Sequence, residues 1–373
     1  MRSRGVYIVN HDTRDLLRRC LRSVLAEGPD EIVVADSAST DGSAEMVAAE
    51  FPSVTLLRLD DNLGYGGAAN RAVGIGRADD ILLLNADTVV EPGALDALFA
   101  HLDGDERPAI LGPRISDPDG SPQTSCFHFP TPLHVSLYLS GIYRWIPRAP
   151  MVRRRTLQGV AGDSPVEVPW VLGAALAFRR DAFLWLGGFD ETFFMYFEEV
   201  DLCYRLRGAG GHVLFVPSAR IVHRGGASTE RRPVEMGIRF FTSLARFYRK
   251  HYSRAALARL TLVVRFFATL RWARSLILLR LVLDETRRNE LGNDLAIHRS
   301  LALGGWARSS SPREEVAMAD VRGEGAGSVV EPLTGPPIAR GRGTLRSPRP
   351  WRGDPAGVRG TPGASRRRPR HRR

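Results

Sequence analysis

The sequence predicts an α/β fold in which a mostly parallel sheet is followed by a helical extension and a basic tail. Short apolar runs alternate with helix-period segments over the first half of the 373 residues, which is typical of parallel α/β sheets. From Val234 to Leu303 the apolar period is helical throughout. Beyond Trp306, Gly, Pro, Arg and Ser dominate, so this stretch is predicted to be disordered. The predicted boundaries are 1–228, 229–305 and 306–373.

Four apolar runs predict the strands of the first half, and segments with a helical period separate them. The strands are GVYIV (5–9), EIVVA (31–35), VTLLRL (54–59) and ILLL (81–84). Thr13 is suited to cap the helix that follows the first strand. Pro92 is suited to the first position of the helix after the fourth strand, which we expect to end near Leu102.

The second half predicts three more strands and a helix that ends near Gly208 and Gly210. The strands are WVLGAALAF (170–178), HVLFV (212–216) and RIVH (220–223). Residues 125–165 are rich in Pro, Arg and aromatic side chains, which indicates an insertion or a flexible loop.

The formal charge of +11 is concentrated in the tail, where residues 305–373 hold 15 Arg and six acidic residues. The body is therefore near neutral. Such a tail can attract anionic lipid or nucleic acid nonspecifically, or it can be a solvated extension. Three scattered cysteines indicate a reducing compartment and argue against a zinc site.

The chain is not expected to cross a membrane. Its N-terminus enters a strand without a signal-peptide apolar region. The most apolar stretch, residues 260–283, is interrupted by arginines, which argues against a spanning helix. The interrupting residues are Arg265, Arg271, Arg274 and Arg280.

Polar side chains end three of the predicted strands. In open α/β sheets ligands bind beyond the carboxyl ends of the strands, so Asn10, Asp36 and the pair Asn85 and Asp87 are candidate ligand contacts. The segment after the first strand, NHDT, has no glycine, which argues against a dinucleotide enzyme. A carboxylate such as Asp87 suits a hard divalent cation. The alternative is an ordinary turn residue or a helix cap.

The glycines of NLGYGGAAN (62–70) lie where a loop enters a helix. Gly64, Gly66 and Gly67 allow a ligand to approach the backbone closely, and a helix N-terminus favours anions. The alternative is a flexible loop at a helix start.

An acidic cluster, Glu198, Glu199 and Asp201, begins a predicted helix directly after an aromatic segment. A carboxylate that aromatic rings partly desolvate has a raised pKa, as a general base requires. The structural alternatives are stabilisation by the helix dipole and an i,i+4 pair between Asp201 and Arg205.

His223 ends the last predicted strand and precedes two glycines. It is either a hydrogen-bonded histidine at the sheet edge or a metal ligand that joins Asp87.

Together these segments resemble the inverting family 2 glycosyltransferases of the GT-A fold, and within them the rhamnosyltransferase-like branch. The resemblance covers residues 5–228. Its motifs are VNHDTRDLLRRCLRSVL, VVADSASTDGS, NLGYGGAANRAV, LLLNADTVVEPGAL, GAALAFRRDAFLWLGGFDETFFMYFEEVDLCYRLRGAG and HRGGAS.

The resemblance implies a role for each candidate residue. NAD (85–87) matches the DxD-type motif, in which Asp87 holds Mg²⁺ or Mn²⁺ on the nucleotide diphosphate, with Asn85 in place of the first Asp. Asp36 matches the acid that contacts the nucleotide base. The other nucleotide-binding candidates are Asn10, Asn62, Gly64, Gly67 and Asn70. His223 matches a metal-ligating histidine.

By the same resemblance, FEEVD (197–201) matches the acidic motif that supplies the catalytic base. Glu199 is the predicted base, where the family often has Asp, and Glu198 and Asp201 are the neighbouring candidates. The reaction would be a single displacement with inversion at the anomeric carbon. Residues 170–174 and 125–165 would form the acceptor side.

The resemblance also implies the partners. The expected donor is dTDP-rhamnose, with another hexose or galactofuranose donor as the alternative, and the acceptor is a glycan or a polyprenyl-linked sugar in cell-envelope synthesis. We expect a cytoplasmic protein that can associate peripherally with the inner face of the membrane, while helix packing or a dimer interface is the alternative use of residues 234–303. A non-catalytic sugar-nucleotide binder and a nucleic-acid binder that uses the Arg-rich tail are the competing functional classes; specific nucleic-acid binding is not expected.

Overall fold

The computed structural model describes residues 2–102, 107–140, 164–225, 233–282 and 284–307. The predicted basic tail beyond Ala307 therefore lies outside the described residues, as do residues 141–163 of the predicted insertion.

The strands confirm a mixed α/β architecture. They are β1 Arg4–Asn10, β2 Glu31–Ser37, β3 Thr55–Leu59, β4 Asp80–Asn85, β5 Thr88–Val90, β6 Ala109–Ser116, β7 Cys126–Phe127, β8 Val166–Glu167, β9 Trp170–Val171, β10 Ala175–Arg179 and β11 His212–His223. Nine of them form one sheet in the order β3-β2-β1-β4-β10-β6-β11-β5, with β8 also paired to β11. Six strands of this sheet run in one direction and β5, β8 and β10 oppose them, so the sheet is mostly parallel as predicted.

The helices are α1 Arg14–Glu27, α2 Ser43–Glu50, α3 Gly64–Ile75, α4 Ala94–Phe99, α5 Pro132–Ser140, α6 Arg180–Trp185, α7 Glu198–Gly208, α8 Pro233–His251, α9 Arg254–Leu279 and α10 Glu285–Leu303. A 3₁₀ turn, Gly305–Ala307, follows them.

Side-chain alternation along the strands builds a core on each face of the sheet. In β1, Val6 and Ile8 face α1, α2 and α4, whereas Tyr7 between them faces α3 and α7. Leu82 and Leu83 in β4 divide in the same way. The inner parallel strands β1, β2 and β4 are therefore covered on both faces, which is why they read as continuous apolar runs.

Three predicted elements have different boundaries. The helix expected from Pro92 begins at Ala94, because Gly93 adopts φ +80° and turns the chain after the proline, and it ends at Phe99. The two short strands expected at 212–216 and 220–223 are one strand, β11, with an irregularity between Val216 and Arg220 that includes Pro217.

The strand expected over 170–178 is divided into β9 and β10. Trp170–Val171 leaves the central sheet and pairs with Cys126–Phe127, and the Leu172 amide donates to the Ser125 carbonyl at 2.9 Å. The chain then crosses to β4 before the pairing of β10 begins at Ala175. Part of the predicted insertion is thus ordered, as β7 and α5.

The helices after the sheet share a third core with the aromatic segment that precedes α7. Phe193 and Phe197 pack with Phe241 and Phe247 of α8, and Trp306 is buried in the same cluster. Trp306 therefore belongs to this core, although the sequence placed it at the start of the tail. Among the described helices, none combines the length and apolarity that a membrane crossing needs.

Candidate active site

Asp87 and His223 are brought together by β5, a strand of three residues at one edge of the central sheet. After β4 the chain turns at Asp87 and forms β5, which pairs antiparallel with the end of β11 so that His223 lies opposite Thr88. His223 Nε2 lies 3.3 Å from Asp87 Oδ1, and the Arg224 amide donates to the Asp87 carbonyl at 3.1 Å. The two predicted metal ligands, 136 positions apart in the chain, are thus neighbours.

Gln123 orients the His223 ring, and it was not among the residues selected from the sequence. Its side-chain amide nitrogen donates to the His223 carbonyl at 2.8 Å and to Asp117 Oδ1 at 2.5 Å. Because both partners are acceptors, the Gln123 oxygen is the atom that faces His223 Nδ1, at 3.1 Å. A neutral ring then donates from Nδ1 and keeps a lone pair on Nε2, beside Asp87.

This donor set fits one divalent cation. A carboxylate oxygen and an imidazole nitrogen about 3 Å apart can both reach an ion at ~2.1 Å. Within the described ranges, no group of three His, Cys, Asp or Glu side chains converges. Two protein ligands leave several positions for phosphate oxygens and water, as Mg²⁺ prefers.

Glu198 and Glu199 begin α7 after a turn in which Tyr196 and Phe197 have positive φ angles of 64° and 70°. Such angles are uncommon outside glycine and cluster at functional sites. In the part of the chain that the structure describes, Glu198 Oε2 and Glu199 Oε2 are buried without a hydrogen-bond partner. The turn therefore directs two carboxyl groups into a poorly solvated position.

Burial changes the ionisation of both carboxyl groups. It raises the pKa of Glu199 to about 7, although backbone amides, including that of Gly173, act in the opposite direction. Burial, and then the charge of Glu199, raise the pKa of Glu198 well above its usual value. Near neutral pH this pair carries less than its full charge. The ionised fraction of Glu199 can then accept a proton from a bound hydroxyl.

One cavity of about 300 Å³ joins these groups. Seven predicted residues line it: Asn62, Gly64, Asn85, Asp87, Glu198, Glu199 and His223. Tyr65, Met195 and Tyr196 line it as well, although the sequence did not single them out. The predicted metal ligands, Asp87 and His223, thus face the same cavity as Glu199, whose pKa is raised. The cavity is large enough for part of a small ligand.

Gly64 is explained by packing against the aromatic segment. Its φ is +72°, and a Cβ atom there would lie 2.1 Å from the Phe194 carbonyl oxygen. Asn62 supports the same turn, because its side-chain oxygen accepts a hydrogen bond from the Gly64 amide at 2.9 Å. These contacts hold the start of α3 against the loop before Glu198.

Four predicted nucleotide contacts do not line the cavity. The Asn10 amide donates to Asp36 at 2.8 Å, and both side chains are buried at the ends of β1 and β2. Asn70 is held by Phe189, whose backbone amide and carbonyl it contacts at 2.9 Å each. A Cβ atom at Gly67 would meet Leu63. Three of these side chains use their polar groups in hydrogen bonds within the fold, and Gly67 allows close packing. These residues therefore support the cavity wall and do not face the cavity.

Asp201 also lies outside the cavity, contrary to its selection as a neighbouring candidate base. It contacts Arg205, Lys250 and His251, each at 2.7 Å. Burial acts to raise the pKa of Asp201, but the His251 hydrogen bond and the charges of Arg205 and Lys250 lower it to about 2. A carboxylate neutralised in this way joins α7 to α8 and is a poor proton acceptor.

Comparison with known proteins places the chain in a family. The profile of "Glycosyl transferase family 2" matches residues 6–148, and that of "Glycosyl transferase family group 2" matches residues 81–283. Because the second match covers more than half of the chain, the protein belongs to the family 2 glycosyltransferases. Within them it is of the rhamnosyltransferase type, so the predicted family is confirmed. The described sheet confirms the predicted mostly parallel α/β fold.

Two relatives support that type. The N-acetylglucosaminyl-diphospho-decaprenol L-rhamnosyltransferase of Mycobacterium tuberculosis is 37% identical over 225 residues, which cover 57% of this chain and 72% of that protein. Rhamnosyltransferase WbbL of Escherichia coli is 38% identical over 60 residues, which cover 16% of this chain and 23% of that protein.

Solved structures resemble the chain at lower identity. The mannosyltransferase PcManGT from Pyrobaculum calidifontis, in complex with GDP-Man and Mn²⁺, is 17% identical with a TM-score of 0.49; the match covers 81% of this chain and 87% of that one.

Proposed function

We propose that this glycosyltransferase moves a sugar from a nucleoside diphosphate to an acceptor hydroxyl with inversion at the anomeric carbon. The observation that carries the proposal is the shared cavity, in which the Asp87–His223 pair and Glu199 face the same space. The pair suits the diphosphate end of a donor, and Glu199 suits the attacking hydroxyl. Neither a sugar-nucleotide scaffold nor a nucleic-acid binder would need a carboxyl group of raised pKa in the same cavity as two metal-ligating side chains.

Proton transfer to Glu199 is the step that the protein's own residues perform. Glu199 takes the acceptor proton while the acceptor oxygen bonds to the anomeric carbon and the bond from that carbon to the diphosphate oxygen breaks. Asp87 and His223 would hold Mg²⁺ or Mn²⁺, which when bound supplies positive charge beside the diphosphate. The direct displacement needs no enzyme nucleophile, so one base is sufficient.

The choice of substrates is supported by the relatives. Similarity to two rhamnosyltransferases supports rhamnose, from dTDP-rhamnose, as the donor sugar. The mycobacterial relative is named for a lipid-linked acceptor, which supports a glycan or polyprenyl-linked acceptor in cell-envelope polysaccharide synthesis. A different hexose or a galactofuranose donor is the alternative.

Helix α9 supports peripheral association with the cytoplasmic face of a membrane. Leu262, Phe266 and Leu270 follow one another at intervals of four residues on its outward face, and their exposed fractions are 70%, 60% and 53%. The exposed Arg259 and Arg274 flank this outward stripe. Apolar side chains flanked by arginines suit the headgroup boundary of an anionic bilayer.

The function is tested with a donor panel, membrane extract as the acceptor source, and mass measurement of the lipid-linked product. We expect rhamnose transfer that needs Mg²⁺ or Mn²⁺ and stops with a chelator. Glu199→Gln should lower the turnover by about 10²–10⁴-fold, because the base is lost while the shape is kept. Glu290→Gln, an exposed position on α10, is the matched control and should be unchanged.

Donor binding without turnover for any acceptor would instead support a sugar-nucleotide scaffold. Full turnover in Glu199→Gln would exclude Glu199 as the base.

A further inference from the structure

A second cavity, of about 490 Å³, lies beside the first one. Both are lined by Leu172, Tyr196 and Glu199, so the raised-pKa carboxyl group belongs to the wall between them. We call the second cavity the apolar chamber. Its walls include Phe127, Val135, Trp170, Phe197, Phe240 and Leu244.

Three parts of the fold line the apolar chamber, together with Phe197 of the turn before α7. The β7–β9 ribbon contributes Phe127 and Trp170, whose rings stack at 4.3 Å; α5 contributes Val135, and α8 contributes Phe240 and Leu244. The one polar group of the indole is already used, since Trp170 Nε1 donates to the His128 carbonyl at 3.0 Å. His128 and His134 also line the chamber, but its walls are otherwise mainly aromatic and aliphatic. A hydrocarbon would therefore gain from burial there.

We propose that the apolar chamber holds the hydrocarbon of an amphipathic acceptor whose reacting hydroxyl faces Glu199. This inference rests on the proposed function. Because Glu199 lines both cavities, an acceptor whose reacting hydroxyl faces Glu199 from the first cavity can extend its remaining atoms into the apolar chamber. The volume is within the ~300–1,000 Å³ usual for small-molecule sites.

The exposed side of the apolar chamber lies at the contact between α5 and α9. Tyr138 lines the chamber and is itself 56% exposed, and Arg271 of α9 donates to the Tyr138 carbonyl at 3.5 Å. Leu133 on the same helix as Tyr138 is also exposed. A chain longer than the chamber would therefore emerge near the contact between α5 and α9.

The test uses glycosides of one acceptor sugar whose aglycone, attached directly to the sugar, is a methyl, geranyl or farnesyl group. We expect the acceptor KM to fall at least about tenfold from methyl to farnesyl, because several methylene groups become buried. The donor KM should stay within about twofold. An acceptor KM that is independent of the hydrocarbon would overturn the proposal.

A substitution that fills the apolar chamber tests whether the hydrocarbon binds there. Leu137→Trp on α5 adds volume at a lining position that is partly exposed, and it should remove most of the gain from farnesyl while leaving the methyl acceptor unaffected. The matched control is Leu184→Trp, an exposed position on α6 that lines neither cavity. An unchanged farnesyl preference in Leu137→Trp, with equal melting temperatures, would place the hydrocarbon elsewhere.

Calorimetric titration with the farnesyl glycoside, in the absence of any donor, keeps this inference separate from the proposed function. Binding to the wild-type protein that Leu137→Trp weakens supports the apolar chamber even if no sugar is transferred. Transfer to acceptors without any hydrocarbon preference supports the glycosyltransferase and overturns the chamber.

Discussion

At the scale of the residue, the ionisation of Glu199 connects structure to activity. A base with a pKa of about 7 is mostly protonated in mild acid and mostly ionised in mild alkali. We expect the rate of transfer to rise with pH through about 7 and then to level off. A pH profile of kcat/KM under saturating metal measures this, and a profile that is flat between pH 6 and 8 would contradict it.

The same residue should carry a cost in stability. The pKa of Glu199 is higher in the folded chain than its ordinary value of 4.5, so the folded state binds more protons between these two pH values. Stability due to this group therefore falls as the pH rises from about 4.5 through 7. Glu199→Gln removes the effect and should unfold at a higher temperature than wild type at pH 8, but not at pH 4.

The residue types of the site were predictable, but the role of each residue depended on its contacts. Asp87, Glu199 and His223 could be selected because strand ends and a desolvated helix start leave a recognisable pattern. Asp201 belonged to the same acidic run, yet Lys250 and His251 neutralise it from a helix about fifty positions away. Gln123 had no local pattern, since its function lies in hydrogen bonds to a strand one hundred positions later.

At the scale of the element, the start of α3 fixes the aromatic turn before Glu198. Gly64→Ala should destabilise the fold by about 2 kcal/mol or more, because φ is +72° and the new Cβ would collide with the Phe194 backbone. Gly74→Ala in the same helix is the control: its Cβ meets nothing within 4 Å, and alanine should stabilise by up to about 1 kcal/mol. Urea unfolding of both variants measures the difference, and equal midpoints would show that the Gly64 contact is unimportant.

Elements with strong periodicity were predictable, and their boundaries were less so. The parallel strands are apolar on both faces, which made β1, β2 and β4 clear from the sequence. The break between β9 and β10 could not be predicted, because Val171 and Ala175 are equally apolar and only their partners differ: one pairs with β7 and the other with β4. Likewise β11 spans Pro217 because the fold accommodates an irregularity there.

At the scale of the whole molecule, the outward stripe of α9 should determine whether the protein binds to membranes. A chain that ends at Ala307 removes the basic tail as a competing lipid-binding element, and we expect it to float with vesicles that contain phosphatidylglycerol. Phe266→Glu should weaken this binding at least about tenfold, since it places a charge among apolar side chains at the bilayer surface.

Leu184→Glu, exposed on α6, is the control for the flotation assay. Equal flotation of the Phe266→Glu protein would exclude the stripe as the contact surface, and a mass of two chains by light scattering would favour a dimer interface. Loss of sugar transfer in the chain that ends at Ala307 would show that the tail is needed for activity.

The wall that carries Glu199 has a consequence for chemical probes of this protein. Its two sides face a polar compartment and an apolar one, so a single molecule could occupy both by joining a nucleoside diphosphate to a short hydrocarbon. Such a tethered molecule would fill its second compartment at the high effective concentration set by its linker. The selectivity of such a molecule for this protein would then depend on a linker whose length matches the distance past the Glu199 side chain.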